Sequence, residues 1–199
     1  MTKTKRDFVS ALKIFLSITL VTGVVYIFGL LGVSQLCFSN QANGSFRETG
    51  YGPMSLAAGQ MDYRADHLWG RPVSYQTVEK DGKVYVYASP ANDGYGSQKT
   101  KQKQEKLRAW IEENSFAGNK PVPAELYMSS ASGMDPQISL EAADYQIDRL
   151  IETTGIDQTT LEKIFQDHSS SLLSSGPQEK TVNVAAVNLA IDELIHSAS

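Results

Sequence analysis

The chain has 199 residues and a formal net charge of −4, with 41 % hydrophobic and 20 % charged residues. That length suits one modest domain with an appendage, not two enzyme domains, and the composition excludes collagen, coiled coil and wholesale disorder. A pI of about 5.4 excludes nucleic-acid binding through overall charge, and the single cysteine, Cys37, excludes an internal disulfide framework or a Cys-rich zinc site.

From Ile14 to Phe38 the chain carries no Asp, Glu, Lys or Arg, and charge does not return after Lys13 until Arg47. A membrane helix needs about 20 apolar residues, and in lipid its backbone must pair within the segment. Residues 14–38 are therefore expected to cross the bilayer once. A cleaved signal peptide is the competing reading. The run is long for one, whose apolar region is about 7–15 residues, and no small-residue cleavage site is well placed after it. Lys3, Lys5, Arg6 and Lys13 oppose only Asp7, so the leading segment carries +3 and the remainder −7. By the positive-inside rule, residues 1–13 are expected in the cytoplasm and residues 39–199 outside it. Within the span, Thr19, Gly23, Gly29 and Gly32 could form a face against another helix or reflect the general frequency of glycine in membrane helices.

Beyond the span, Gln41 to Ser45 reads as a turn. His67-Leu68-Trp69-Gly70-Arg71-Pro72 introduces two β-type runs, 73–78 and 84–88, around Asp81-Gly82, a strong hairpin signal. Residues 98–115 form a helical candidate with a polar, lysine-rich first half, in which only Leu107, Trp110 and Ile111 can dock on a core. Pro121-Val122-Pro123 stops it ahead of an extended run, 124–128, and a loop of small residues, Ser129 to Pro136. Three amphipathic helices follow, capped by Ser139, Asp157 and Asn183, with Gly155 ending the first and a Ser-rich connection at 169–177. The expected architecture is a small mixed α+β domain behind one N-terminal membrane helix.

Chemistry is scarce. No phosphate-cradling P-loop or dinucleotide fingerprint is present. His67, His168 and His196 are isolated in sequence and read as surface or capping residues, so no metal site is expected. Ser130 or Ser132 with Asp135 and the distant His168 is the one enzyme-like constellation, and it would suit a serine hydrolase only if folding assembled it. Asn188 stands on the same face as Val184, Val187 and Ile191. Either it is buried and finds partners, with the Ser129–Asp135 loop as candidate, or it lies at a half-wet edge.

The order of several short stretches resembles the C subunit of the bacterial potassium-importing P-type ATPase, the Kdp complex. The stretches are Gln41-Ala42-Asn43-Gly44-Ser45 behind the single span, Gly59-Gln60, Trp69-Gly70-Arg71-Pro72 and Pro121 to Leu126. Ser130 to Ser139, Ala142-Ala143, Tyr145-Gln146, His168, Val182-Asn183-Val184 and Asn188 to Asp192 complete the set. Between Trp69 and Pro121 the chain departs from the family's Gly/Ser/Asn-rich stretch, which is similar only to Asn92 to Ser97 here.

The resemblance implies a non-catalytic subunit that stabilises the assembly and assists coupling of ATP hydrolysis to K+ uptake. It also implies a pore-forming partner and an ATP-hydrolysing partner that carries the phosphorylated aspartate. ATP, Mg2+ and K+ would be used by the complex, with no cofactor bound directly by this chain and no nucleic-acid partner. An ATP-promoting role has been suggested for such subunits; an outer domain could act on nucleotide only through the assembly's conformational states. Carried onto this sequence, the loop-organising or partner-binding candidates are Gln60, Trp69, Arg71, Gly94, Ser97, Ser130, Ser132, Gly133, Asp135 and Asn188. A stand-alone sensor module is the remaining alternative.

Overall fold

The computed structural model describes residues 3–49, 52–60, 62–92, 94, 96–171 and 180–197. The chain divides into two compact units, Met1–Phe46 and Arg47–Ser199.

The first unit is dominated by α1, a helix running Lys3–Cys37 with no buried apolar side chain. It starts eleven residues ahead of the expected span, because nothing in Lys3 to Lys13 breaks a helix. Its 35 residues extend about 50 Å at 1.5 Å each, more than a bilayer core of about 30 Å, so the basic first turns can stand clear of lipid. Val21–Val25 forms a π turn inside it, and the Thr22 hydroxyl donates to the Ile18 carbonyl at 2.8 Å. The expected turn at Gln41 is instead a one-turn helix, α2 (Ser39–Ala42), followed by a reversal with Gly44 at φ +93° and Ser45 at +50°.

Strands β1 (Phe46–Thr49) and β2 (Gly52–Ser55) pair with each other. Strands β3 (Tyr75–Lys80) and β4 (Lys83–Ala88) form the expected hairpin, in register from Tyr75↔Ala88 to Lys80↔Lys83. Asp81 and Gly82 both take positive φ, +54° and +69°, the sign pattern of a type I′ turn that matches strand twist.

Helix α3 (Gln98–Asn114) is capped by the Ser97 hydroxyl, which accepts from the Thr100 amide at 3.1 Å. Residues 124–128, expected to be extended, contain a one-turn helix, α4 (Ala124–Tyr127). Its shape is set by tertiary contact: Leu126 is fully buried, and the Glu125 carboxylate receives the Ser139 amide and hydroxyl.

A three-stranded antiparallel sheet was not foreseen. Its strands are β5 (Gln137–Ser139), β6 (Ser169–Ser171) and β7 (Lys180–Asn183), in the order β5-β7-β6. They are too short and too polar to show a period. The Ser-rich connection therefore begins as a strand, and residues 172–179 lie outside the described residues.

The first C-terminal helix is two, α5 (Leu140–Asp144) and α6 (Ile147–Thr154), broken at Tyr145-Gln146. The break places the Gln146 side chain against Trp69. Gly155, at φ +72°, ends α6 as expected. Helix α7 (Gln158–Asp167) starts on Asp157 and buries Leu161, Ile164 and Phe165. Helix α8 (Val184–Ser197) starts with Asn183 accepting from the Ala186 amide at 3.0 Å, and buries Val184, Val187, Asn188 and Ile191. The core lies among α3, α4, the sheet and α5–α8, with Leu68 and Trp69 inserted through its middle at 0 % and 1 % exposure.

Candidate functional site

The segment from Asp62 to Arg71 has no regular structure, so its buried backbone groups need partners from elsewhere. Two side-chain amides supply them. Asn188 Oδ1 accepts from the Leu68 amide at 2.7 Å, and Asn188 Nδ2 donates to the Leu68 carbonyl at 3.0 Å. Gln146 does the same for the next residue, accepting from the Trp69 amide at 2.8 Å and donating to the Trp69 carbonyl at 3.0 Å. Each primary amide thus stands in for a neighbouring strand.

Asn188 is therefore buried, at 3 % exposure, and the half-wet alternative is excluded. Its partner is Leu68, not the Ser129–Asp135 loop. The loop has its own supports, described below.

Trp69 is held on every side. Its indole N–H donates to the Arg64 carbonyl at 2.8 Å, and the Arg149 guanidinium lies 3.7 Å over the ring. Tyr63 and Trp110 both approach it tilted, with ring centroids 6.3 and 5.0 Å away. Arg149 is buried; its Nη2 donates to Gln146 Oε1 at 2.8 Å, its Nη1 to the Ala65 carbonyl, and its Nε has no hydrogen-bond partner. Burial pulls its pKa down to about 9 against the opposing charge of Asp66. The Trp69 ring face therefore does part of a counter-ion's work.

Beside this clasp lies a knot of charge. His67, read from sequence as a surface or capping residue, is buried at 3 % exposure. Its Nδ1 lies 2.6 Å from Asp62 Oδ2 and its Nε2 lies 3.0 Å from Asp192 Oδ1 on α8. Arg64 lies against the ring and also reaches Asp62 at 3.3 Å and Asp192 at 4.0 Å. Burial works against charge on both partners, yet charged hydrogen bonds win. Burial raises the Asp62 carboxyl, but bonds from His67 and the Arg64 amide and the nearby positive charges bring it to about 2. Burial lowers His67, but Asp62 and Asp192 raise it above its ordinary value. These residues edge a groove of about 500 Å³ between β2, Gln60 and α8.

The small-residue loop is a structural staple. Ser130 Oγ accepts from the amides of Gly133 at 3.1 Å and Asp135 at 3.4 Å, and stands 3.2 Å from Ser132 Oγ. Ser132 Oγ accepts from the Met134 amide at 3.3 Å. Gly133 sits at φ +70°, where an added Cβ would come within 2.5 Å of the Ser89 carbonyl oxygen. Its own carbonyl accepts from the Ser74 amide at 2.8 Å. The Gly59 amide donates to the Met134 carbonyl at 2.8 Å. Asp135 accepts from the Gln137 amide at 3.1 Å, and its other oxygen lies 3.7 Å from Arg71, whose Nη2 reaches the Met128 carbonyl. Both serine hydroxyls are thus committed to backbone amides. His168, meanwhile, ends α7 and lends its carbonyl to Asn183.

The remaining candidates have local duties. Gln60 donates to the carbonyls of Ser55 at 3.1 Å and Ala58 at 2.9 Å, shaping the groove. Gly94 and Ser97 start α3, through the 2.9 Å bond from the Ser97 amide to the Gly94 carbonyl and the Ser97 cap. In α1, a Cβ added at Gly23, Gly29 or Gly32 would meet nothing within 4 Å. Folding thus brings Trp69 and Asn188 to one clasp, and Arg71, Ser130, Ser132, Gly133 and Asp135 to one loop. Sequence reasoning missed Asp62, Arg64, His67, Gln146, Arg149 and Asp192 as a group. Their one local signal was Asp192, one turn beyond the polar intruder Asn188 on the same helix.

Residues 8–193 match the model of KdpC, described as the K+-transporting ATPase, c chain. The chain belongs to the KdpC family. Relatives bearing the name potassium-transporting ATPase KdpC subunit support the same placement. One from Clostridium botulinum (strain Eklund 17B / Type B) is 37 % identical across 98 % of this chain and all of its own length. One from Listeria welshimeri is 37 % identical across 90 % of this chain and 92 % of its own. One from Serratia proteamaculans is 30 % identical across 92 % and 96 %. The KdpC match includes both the Trp69 clasp and the 130–139 loop. Among the described residues, no group of three His, Cys, Asp or Glu side chains is arranged to hold a metal ion.

Proposed function

We propose that this chain is the membrane-anchored, non-catalytic accessory subunit of a potassium-transporting ATPase, stabilising the assembly and helping couple ATP hydrolysis to K+ uptake. The observation that carries this reading is the family match over residues 8–193. Other subunits of that ATPase are its partners: a pore-forming subunit, and one that hydrolyses ATP on its own aspartate. ATP, Mg2+ and K+ belong to those subunits. This chain contributes a helix with no charge between Lys13 and Arg47 and a domain whose hydroxyls and amides are spent on holding its own loops.

The +3 charge ahead of the span supports a cytoplasmic N-terminus and an extracytoplasmic C-terminal domain. In that arrangement Thr19, Gly23, Gly29 and Gly32 are available to a partner's helix. An acidic outer domain could gather cations near the pore, but Asp62 and Asp135 already face His67, Arg64 and Arg71, and Asp66 faces Arg149. Scaffolding is the better supported role. Asp93 lies outside the described residues.

The test is extraction of the tagged full-length chain from its native membranes in mild detergent. Two larger membrane proteins should accompany it in fixed proportion. Recovery of the chain alone, together with unchanged potassium uptake in a strain lacking it, would overturn the proposal. Ser132→Ala should leave uptake unchanged, as a scaffolding role requires and a hydrolase would not.

A further inference from the structure

The two side-chain amides that clasp Leu68 and Trp69 are uncharged, but the knot beside them is not. His67 presents both ring nitrogens to carboxylate oxygens, at 2.6 Å on Asp62 and 3.0 Å on Asp192. Ionised carboxylates only accept hydrogen bonds, so satisfying both requires a proton on each ring nitrogen. A neutral ring would set a lone pair against one carboxylate, inside a site where His67 is almost wholly buried.

We propose that His67 is a proton-operated latch: as an imidazolium it cross-links the Asp62–Trp69 segment to the C-terminal helix, and on losing its proton it releases Asp192 and loosens the wall of the adjoining groove. Other charged groups around the ring are accounted for. On its own segment stand Asp62 and Arg64, with Asp66 acting on Arg64 and on Arg149. On α8 stand Asp192 and, one turn on, His196, whose ring bonds the Asp192 carbonyl at 2.7 Å. The β2 wall of the groove, Gly52–Ser55, carries no ionisable side chain. Arg64 spans the two carboxylates, at 3.3 Å on Asp62 and 4.0 Å on Asp192, and its Nη2 lies 2.8 Å from the ring's Nδ1; a guanidinium keeps its charge throughout, so the titrating element is the imidazole.

The direction of the pH dependence follows from two shifts. His67 is raised above 6.5, so its contribution to stability is complete below 6.5 and is lost as pH rises through its higher folded value. Asp62 is depressed from 3.8 to about 2, so its contribution is complete above 3.8 and is lost as pH falls through about 2. The latch is fully closed between those limits. Which compartment's pH it senses rests on the orientation proposed above; the titration itself does not.

The test is histidine ring NMR on the full-length chain in detergent, with the other two signals assigned through His168→Gln and His196→Gln. His67 should titrate above 6.5, and Asp192→Asn should move it down, because one of the two carboxylates that favour its protonated form is gone. Thermal stability of the wild type should fall as pH rises through the His67 titration, and His67→Gln should flatten that slope. A His67 that titrates at or below 6.5 would mean a neutral ring accepting from Arg64, and would overturn the proposal. So would identical pH slopes in wild type and His67→Gln. Because the NMR readout needs no substitution at position 67, failure of His67→Gln to fold leaves the test intact.

Discussion

Trp69→Ala should destabilise the C-terminal domain by about 3–5 kcal/mol, the range for emptying a buried aromatic site. Domains are typically stable by only about 5–15 kcal/mol, so this is a large fraction of the whole. Three losses coincide. The indole leaves a cavity in the middle of the core, where it is 1 % exposed. The Arg64 carbonyl loses its 2.8 Å donor, and Arg149 loses the ring face that lies 3.7 Å away. Trp69→Phe separates these terms: it keeps most of the volume and a ring for Arg149 but not the indole N–H. It should recover more than half of the lost stability. Denaturant unfolding of the full-length chain in detergent, followed through Trp110, gives the comparison.

Asn188→Ala should cost about 2–6 kcal/mol, because it strands two buried backbone groups of Leu68 at about 1–3 kcal/mol each. Alanine's better helix propensity, about 0.5 kcal/mol, offsets little of that. Asn188→Asp should be no rescue. It can accept from the Leu68 amide, but it turns a carboxylate oxygen towards the Leu68 carbonyl and adds negative charge one turn from Asp192. If Asn188→Ala unfolds within 0.5 kcal/mol of wild type, the strand-like role assigned to this amide is wrong. The same unfolding assay decides it.

These two residues mark where the sequence was readable and where it was not. The long apolar N-terminal helix, the Asp81-Gly82 hairpin and the caps at Ser139, Asp157 and Asn183 were legible because local physics determines them: unbroken apolarity, positive φ at a tight turn, a side chain closing the first amides of a helix. The Ala124–Tyr127 helix and the break at Tyr145-Gln146 were not, because burial of Leu126 and the reach of Gln146 to Trp69 override local preference. The β5-β7-β6 sheet is built from three- and four-residue strands that display no period.

The site was half legible for a similar reason. Asn188 stood out as a polar residue on an apolar helix face, but its partner lies 120 positions away. His67 looked isolated because Asp192 is 125 positions distant in sequence and 3.0 Å distant in space. Gly133 was readable as a loop glycine; that its φ of +70° lets the backbone pass against Ser74 and Ser89 was not. The serines beside it looked like possible nucleophiles because sequence shows hydroxyls but not the amides that occupy them.

Which side of the bilayer the C-terminal domain occupies decides whether it can touch cytosolic ATP, since an extracytoplasmic position removes direct contact. The direct measurement is labelling of whole cells carrying the assembled complex with a membrane-impermeant maleimide. Cys37→Ser removes the single native cysteine, and Lys101→Cys, on the exposed lysine-rich start of α3, supplies the reporter. Reaction at position 101 in intact cells, with a matching Lys5→Cys reporter silent until the membrane is opened, is the predicted result. Reaction at position 101 only after permeabilisation would contradict the account.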